Sequence, residues 1–194
     1  MARFSFRQET GGSIAAMIAS GVVAGTIMAP SVNAGQFTRN VGFGDSYVDT
    51  GIIVGLLGPP YTTFYPTGRF SGGTNFFDTM SSLLGIQEVN YALGGAKTGT
   101  TGINGMSGLG FLHETAGFMG SGKTFSSTDI LTVSIGGNDA RGYYQNGGTV
   151  ASAASAASSA ATQATQGLNA LVGVGAKTIV FTAGDVGQLP VAAR

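Results

Sequence analysis

The sequence contains no cysteine, no tryptophan and only one histidine, His113, among its 194 residues. The absence of cysteine excludes disulfide scaffolds, thiolate metal sites and thiol nucleophiles. One histidine is too few for a metal centre built from several imidazoles. The sequence therefore predicts neither a zinc site of the usual ligands nor a thiol enzyme.

Charged side chains are also scarce, at 9% of the chain, and the nine basic and nine acidic residues give a formal net charge of zero. A protein without a basic surface has no electrostatic attraction for phosphate backbones or anionic membranes. This balance disfavours nucleic-acid binding. Hydrophobic residues make up 43% of the chain, enough for one core of ordinary size, and the length favours one domain.

The first 34 residues have the pattern of an export signal. Two arginines precede an apolar stretch over 14–30, which is shorter than the about 20 apolar residues that cross a bilayer. Small residues at Val32-Asn33-Ala34 suit a signal peptidase, so we expect cleavage after Ala34. The mature domain, 35–194, is then secreted or held in the cell envelope, in the periplasm or at the outer-membrane surface.

Four short apolar runs rich in Val, Ile, Phe or Tyr predict strands over 40–43, 88–93, 130–135 and 178–182. Helical patterns lie between them. Strands that alternate with helices predict an α/β fold, with a doubly wound parallel sheet as the middle of three layers. Two glycine-rich stretches are predicted as long loops: 55–73 and 94–110.

Two of the helical patterns also predict which face is buried. The first helix covers 75–84, is closed by Gly85, and has five apolar residues on one face: Phe76, Phe77, Met80, Leu83 and Leu84. The second runs from Val150 through a tract of Ala and Ser. Its small and apolar residues recur every three or four positions and predict one buried stripe: Val150, Ala154, Ala157, Ala161, Ala164, Leu168 and Leu171.

Three polar or glycine-rich loops follow directly on three predicted strands: Gly44-Asp45-Ser46, Gly94-Gly95-Ala96 and Gly136-Gly137-Asn138-Asp139. The carboxyl ends of parallel strands share one edge of the sheet, where such folds bind ligands. Ser46, where a strand turns into a helix, is a candidate nucleophile. Its backbone amide, the amide of Gly95 and the Asn138 carboxamide are candidate oxyanion donors. Separate roles as helix cap, tight turn and Asx-turn are the alternatives.

The sequence of these loops resembles the GDSL, or SGNH, hydrolase family of serine esterases and lipases. Phe43–Gly51 resembles the first block of that family, Asn90–Ala96 the second and Ile135–Asp139 the third. Residues 66–73 resemble the stretch that follows the first block in plant lipases and autotransporter esterases of the family, and 184–190 a proline-containing turn after the fourth strand.

By this resemblance Ser46 is the nucleophile, and its backbone amide forms the oxyanion hole with the amide of Gly95 and the side chain of Asn138. Gly94 replaces Gly95 if the glycine register is shifted by one residue. The resemblance implies a flavodoxin-like fold, a monomer without cofactor or metal, and a small-molecule or lipid ester as substrate, cleaved through an acyl-serine intermediate. Longer relatives with this block spacing often carry an outer-membrane β-barrel.

The matched blocks also contain Arg69, Asp45 and Asp49. A loop arginine and carboxylates near a helix start are more often packing and capping groups than catalytic ones. We therefore expect structural roles for all three.

The resemblance also implies a late Asp-x-x-His block that supplies the general base, and the sequence ends at Arg194 before one appears. We expect a chain that lacks the C-terminal part of the fold and is inactive in this form. His113 lies in a helical pattern of Leu109, Leu112, Ala116 and Met119, which favours a half-buried helix residue over a base. The alternative is a non-catalytic remnant of the same fold that binds lipid or carbohydrate.

Residues 117–124 match the literal P-loop pattern, with Lys123 at the lysine position. A P-loop leaves a strand and opens a helix. Here a helical pattern precedes the glycines, and the turn over 126–129 leads into a strand. Gly120 and Gly122 are better explained as a helix terminator, so we expect no nucleotide site.

Overall fold

The computed structural model describes residues 36–182. The predicted signal peptide, 1–34, and the turn over 184–190 lie outside the described residues. Strands and helices alternate along the described chain. The strands are β1 (Arg39–Gly44), β2 (Gln87–Asn90), β3 (Asp129–Ser134) and β4 (Thr178–Thr182). The helices are α1 (Ile52–Leu57), α2 (Tyr61–Phe64), α3 (Phe76–Leu84), α4 (Phe111–Gly120), α5 (Gly137–Gln145) and α6 (Val150–Gly173).

The four described strands form one parallel sheet in the order β2-β1-β3-β4. The chain passes from β1 to β2 on one side and then crosses to β3 on the other side of β1. The predicted doubly wound α/β fold is therefore confirmed. Such a reversal of strand order leaves a crevice at the carboxyl ends of the central strands, which is where this class of fold binds ligands.

One face of the sheet packs against α4 and α6. Apolar side chains of β1 and β3 meet aromatic and aliphatic side chains of the two helices in one buried cluster, which includes Val41, Phe43, Leu131, Val133, Phe111, Phe118 and Leu171. The ring of Phe118 stands edge-on to the rings of Phe43 and Tyr91, at centroid distances of 5.5 and 5.2 Å. This face is the main hydrophobic core.

The opposite face carries α3 and a row of buried polar side chains. The Asn40 amide donates to Ser81 Oγ on α3 at 2.9 Å, and the Thr132 hydroxyl donates to Asn40 Oδ1 at 2.7 Å. Ser81 in turn donates to the Phe77 carbonyl. The row crosses from β3 through β1 to the helix, and each buried polar group in it has a partner.

The predicted helix over 75–84 is confirmed, but part of its predicted face is wrong. Asn75 and Asp78 form a reciprocal capping box, and Gly85 ends the helix in the left-handed conformation. Phe77 is fully buried, whereas Leu83 is 82% exposed. The polar Ser81 takes an inward position instead, because Asn40 of the sheet lies opposite it.

The predicted stripe of α6 is correct only in its second half. Ala164, Leu168 and Leu171 pack against the core, but Val150 is 97% exposed and Ala154, Ala157 and Ala161 are classed as exposed too. The partly buried residues of the first half are displaced by one position: Ala153, Ala156 and Ala160. In a tract of Ala and Ser, small residues recur at helical spacing on more than one face of the helix. The periodicity therefore does not determine which face is buried.

The predicted face of α4 is also wrong, apart from Met119, which is partly buried against the core. Its buried residues are Phe111, Glu114, Thr115 and Phe118 rather than the predicted Leu109, Leu112, Ala116 and Met119. The two phenylalanines bury more apolar surface than the smaller side chains do, and they set the orientation of the helix. His113 is consequently exposed rather than half-buried.

The loop predicted over 55–73 contains helical structure at its start, since α1 covers 52–57 and α2 covers 61–64. The loop over 94–110 is confirmed apart from a 3₁₀ turn, Ile103–Gly105, and two isolated β-bridges. Within residues 36–182, no helix combines the length and the apolar character that a membrane crossing requires.

We predict that Gly44→Ala lowers the free energy of unfolding by more than about 2 kcal/mol, because Gly44 has φ +114 and a Cβ would lie 2.0 Å from the Ser134 carbonyl oxygen. The control is Gly55→Ala on α1, where no atom lies within 4 Å of the new methyl group. This control should keep or raise stability, by up to about 1 kcal/mol. Urea unfolding followed by circular dichroism measures both, and equal effects would contradict the prediction.

Candidate active site

The loops after β1, β2 and β3 meet at the carboxyl edge of the sheet. Leu93 donates its backbone N–H to the Gly44 carbonyl at 2.8 Å, and Asp45 donates its own to the Ser134 carbonyl at 2.9 Å. The ends of the three adjacent strands are therefore held together around the end of β1. Ser46 follows immediately after this point.

The sequence predicts that Ser46 lies where a strand turns into a helix. The structure instead places it in a tight turn that precedes the helix. The Val48 and Asp49 amides both donate to the Asp45 carbonyl at 3.0 Å, and α1 begins only at Ile52. The chain turns before it becomes helical because Asp45 and Asp49 accept backbone N–H groups of this segment. Ser46 is half-buried, and its hydroxyl forms no hydrogen bond with any residue of 36–182.

The hydrogen bonds of Asp49 determine which of the two candidate glycines, Gly94 or Gly95, has a backbone amide available to a ligand. Its Oδ1 accepts from the amides of Gly51 and Ile52 at 2.8 and 2.7 Å, which caps α1 as expected for this residue. Its Oδ2 accepts from the Gly94 amide at 2.8 Å. The Gly94 N–H is thus already engaged, whereas the Gly95 N–H has no acceptor among the described residues. Gly95, with φ +90, is the glycine whose amide is available to a ligand.

Asn138 lies in the first turn of α5, and its side-chain Nδ2 donates to the Ala96 carbonyl at 2.9 Å. The adjacent Asp139 accepts from the amide and the hydroxyl of Thr98 at 3.0 and 2.7 Å. These bonds attach the start of α5 to the loop that carries Gly95. A carboxamide nitrogen has two hydrogens, so Asn138 keeps one for a ligand.

The structure therefore brings Asn138 and the loop of Gly95 together. Ser46 follows the end of β1 at the same edge of the sheet, and no direct hydrogen bond joins it to either residue.

A cavity of about 720 Å³ opens at the carboxyl edge, and its lining includes chain neighbours of Ser46 and Asn138 but not Ser46, Gly95 or Asn138 themselves. It is bordered by Asp45 and Tyr47, which flank Ser46, and by Gly137 and Asp139, which flank Asn138. The rest of its wall is mostly apolar: Phe76, Ile135, Ala140, Tyr143, Tyr144, Ala153, Ala156, Ala157, Ala160 and Phe181. Such a lining suits an apolar group more than a charged one.

The pKa values of two buried carboxyl groups at this edge, Asp45 and Glu114, are raised. Burial raises the pKa of Asp45 to about 7 against the opposing hydrogen bonds from Tyr47 and Ser134, and the charge of Asp139 raises it further. Burial also raises the pKa of Glu114 well above its ordinary value, although the amides of Gly44 and Leu93 lower it. The negative charges of Asp45 and Asp49 add to the rise at Glu114.

Sequence reasoning had missed Glu114. The signal that could have identified it is its spacing, because an acidic residue three positions after Phe111 and four before Phe118 falls on the face that the two aromatic residues bury. Arg69, by contrast, has the expected structural role. Its Nε and Nη2 donate to the two oxygens of Asp78 at 2.9 and 2.7 Å, which ties the loop after α2 to α3.

The P-loop pattern over 117–124 lacks the structural context of a nucleotide site. The helix α4 ends at Gly120 before the pattern is complete, and β3 follows it, which is the reverse of the strand-to-helix order that a P-loop needs. Lys123 donates to the Tyr91 hydroxyl at 2.8 Å and lies 5.0 Å from the centre of that ring. No group of three or more potential metal ligands occurs within residues 36–182.

The raised pKa of Asp45 predicts a pH-dependent stability. An aspartate of the unfolded chain ionises near pH 4, whereas Asp45 keeps its proton up to about pH 7, so the wild type loses stability as the pH rises through this window. Asp45→Asn cannot ionise and keeps an acceptor oxygen for the Tyr47 amide. Between pH 4.5 and pH 8 the variant should gain about 2–4 kcal/mol relative to the wild type in urea unfolding. A difference that does not change with pH would contradict this assignment.

Comparison with known proteins identifies the family of this chain. A family model described as GDSL-like Lipase/Acylhydrolase matches residues 41–194. GDSL esterase/lipase At1g28580 of Arabidopsis thaliana is 33% identical over a match that covers 31% of this chain and 23% of that protein. GDSL esterase/lipase At2g27360 of the same plant is 33% identical, with 37% and 25% covered. The chain spans about a quarter of the length of these curated relatives. Since the family match extends over most of the sequence, the chain belongs to the family of GDSL-like lipases and acylhydrolases.

Proposed function

We propose that this protein is an exported serine esterase or lipase, which hydrolyses carboxylic esters through an acyl-serine intermediate. The observation that carries the proposal is the placement of three groups around the end of β1. The free hydroxyl of Ser46, the unengaged amide of Gly95 and the carboxamide of Asn138 share one edge of the sheet, beside an apolar cavity.

In the proposed reaction Ser46 Oγ attacks the ester carbonyl carbon, and the carbonyl oxygen acquires negative charge. The amides of Ser46 and Gly95 and the Asn138 side chain donate hydrogen bonds to that oxygen. Each such donor lowers the barrier by about 3 kcal/mol when it is fixed in advance. The bond to the alcohol oxygen then breaks, and the proton taken from Ser46 by a general base passes to that oxygen as the alcohol leaves. Water attacks the acyl-serine in a second step of the same kind, which releases the acid and restores the serine hydroxyl.

Attack by a serine hydroxyl also needs a general base to take its proton. We propose that His113 does not have this role. It is exposed in the first turn of α4, with its ring beside Gly108, and it forms no hydrogen bond with Ser46 among the described residues. His113→Ala should accordingly leave the reactivity of Ser46 unchanged.

The cavity favours an ester with an apolar acyl group. Its wall combines small side chains of α6 with the rings of Tyr143, Tyr144 and Phe181. A flat wall of alanines leaves room for a hydrocarbon chain, and burial of each CH₂ group contributes about 0.8 kcal/mol. We therefore propose lipid or small-molecule esters as substrates, and export by residues 1–34 as the route to them.

The activity tests below use the protein extended by an Asp-x-x-His block, which supplies the general base, and this extended form is called the wild type in them. We predict that a fluorophosphonate probe labels the wild type covalently and that Ser46→Ala abolishes the labelling. Mass spectrometry of the labelled peptide identifies the modified residue. Label on another residue, or a wild type that stays unlabelled, would contradict the proposed nucleophile.

Asn138→Ala should lower kcat for p-nitrophenyl esters by about a hundredfold, because one of the oxyanion donors is lost. The same substitution removes the bond to Ala96, so the matched control is Thr98→Val. It deletes the hydroxyl bonds to Asp139, between the same two segments, and to Gln163 of α6, and it touches no proposed donor. If both variants lose activity equally, the role of Asn138 is structural rather than catalytic.

We further predict that Ala156→Phe shifts the preference toward short esters. The new ring would fill part of the cavity, so the ratio of kcat/KM for octanoate over acetate esters should fall by about tenfold or more. Ala154→Phe is the control, since Ala154 is exposed on the same helix and does not line the cavity. An unchanged ratio in Ala156→Phe would exclude this cavity as the acyl site.

A further inference from the structure

Glu114 of α4 connects the ends of two strands from beneath the candidate active site. The residue is only 5% exposed. Its Oε2 accepts from the Gly44 amide at 2.7 Å, and its Oε1 accepts from the Leu93 amide at 3.2 Å. The Leu93 N–H is shared with the Gly44 carbonyl, which lies at 2.8 Å. One carboxyl group thus contacts both segments at the point where they leave the sheet.

Glu114 contacts the Gly44 amide beyond the last paired residues of β1 and β2. The last paired residues of β1 and β2 are Gly42 and Asn90, so the buried Gly44 amide has no partner of its own on β2. A buried N–H without an acceptor is costly, and here the acceptor comes from a side chain of the neighbouring helix. The position of α4 therefore enters directly into the geometry of the strand ends.

The two contacted residues lie close to the proposed catalytic groups along the chain. Gly44 is two residues before Ser46, and Leu93 is two residues before Gly95. Asp49 makes the complementary connection, because it belongs to the turn of Ser46 and accepts from the Gly94 amide. Two carboxyl groups, one from a helix and one from the turn, link the same two segments.

We propose that Glu114 is a positioning residue that holds the turn of Ser46 and the loop of Gly95 at the separation that catalysis requires. The inference rests on the proposed function, since it concerns the alignment of the nucleophile with the oxyanion donor. It gives α4, which packs on one face of the sheet, a role in the alignment of the catalytic groups at the carboxyl edge. Small displacements matter here, because a misplacement of about 1 Å lowers reaction rates by about a hundredfold.

The test is Glu114→Gln, which preserves size and shape. A carboxyl group can accept on both oxygens, whereas a glutamine has one acceptor oxygen, and its NH₂ group would face one of the two backbone N–H groups. The control is Thr115→Val, which removes a buried hydroxyl from the next position of α4. That hydroxyl bonds only to Leu112 of the same helix among the described residues.

Two measurements on the same extended form distinguish positioning from general destabilisation. In Glu114→Gln, amide hydrogen exchange should be at least about tenfold faster at Gly44 or Leu93, whichever amide faces the new NH₂ group, and it should be unchanged at both sites in Thr115→Val. The kinetics of fluorophosphonate inactivation separate the maximal rate from probe binding. Glu114→Gln should lower the maximal rate by about tenfold to a hundredfold and leave the probe's dissociation constant unchanged, whereas Thr115→Val should change neither.

The outcomes separate this inference from the proposed function. If the wild type is not labelled, the proposed function fails, and the alignment role of Glu114 fails with it. A labelled wild type with an equal maximal rate in Glu114→Gln overturns the positioning role alone. Weaker probe binding at an unchanged maximal rate overturns it as well, because that result would place Glu114 in ligand binding.

Discussion

The candidate site depends on the carboxylate of Asp49. This one buried group accepts four backbone N–H groups, from Gly51, Ile52, Ile53 and Gly94, at distances of 2.7 to 3.2 Å. Three of them are the first amides of a helix, which have no partner within the helix itself. The fourth belongs to the loop after the neighbouring strand. A local capping interaction therefore also fixes a contact between two segments that are 45 residues apart in the sequence.

This arrangement determines which backbone groups remain available for chemistry. Consecutive glycines could both present their amides to a ligand, but Asp49 binds the first and leaves the second. Asn138 is likewise held through one of its two hydrogens, and the other stays free. Donors that are fixed by bonds to the scaffold need no rearrangement when charge develops on a substrate, which is the physical basis of an oxyanion hole.

Much of this fold could be predicted from the sequence because its signals are local. The four apolar runs predicted the strands, and the apolar pattern over 75–84 with Gly85 at its end delimited α3 closely. Ser46, Gly95 and Asn138 could be selected as candidates because each follows a strand in a polar or glycine-rich segment. The phase of α6 could not be predicted, since alanine and serine differ too little in hydrophobicity to select one face. The choice between Gly94 and Gly95, and the role of Glu114, depend on contacts between distant segments that no local pattern reports.

The buried polar row of Asn40, Thr132 and Ser81 has a consequence for the uniqueness of the fold. Apolar side chains can exchange neighbours at little cost, and a helix on a purely apolar sheet face can slide by one position without losing much burial. The Asn40 side chain bonds to the Ser81 hydroxyl on one side and to the Thr132 hydroxyl on the other, and a shift of the helix or the strand would break these bonds. A shift of one residue in the pairing of β1 with β3 would also turn Asn40 toward the phenylalanine core. The row thus selects a single register for the sheet and for α3, and the carboxyl-edge loops inherit their alignment from that register.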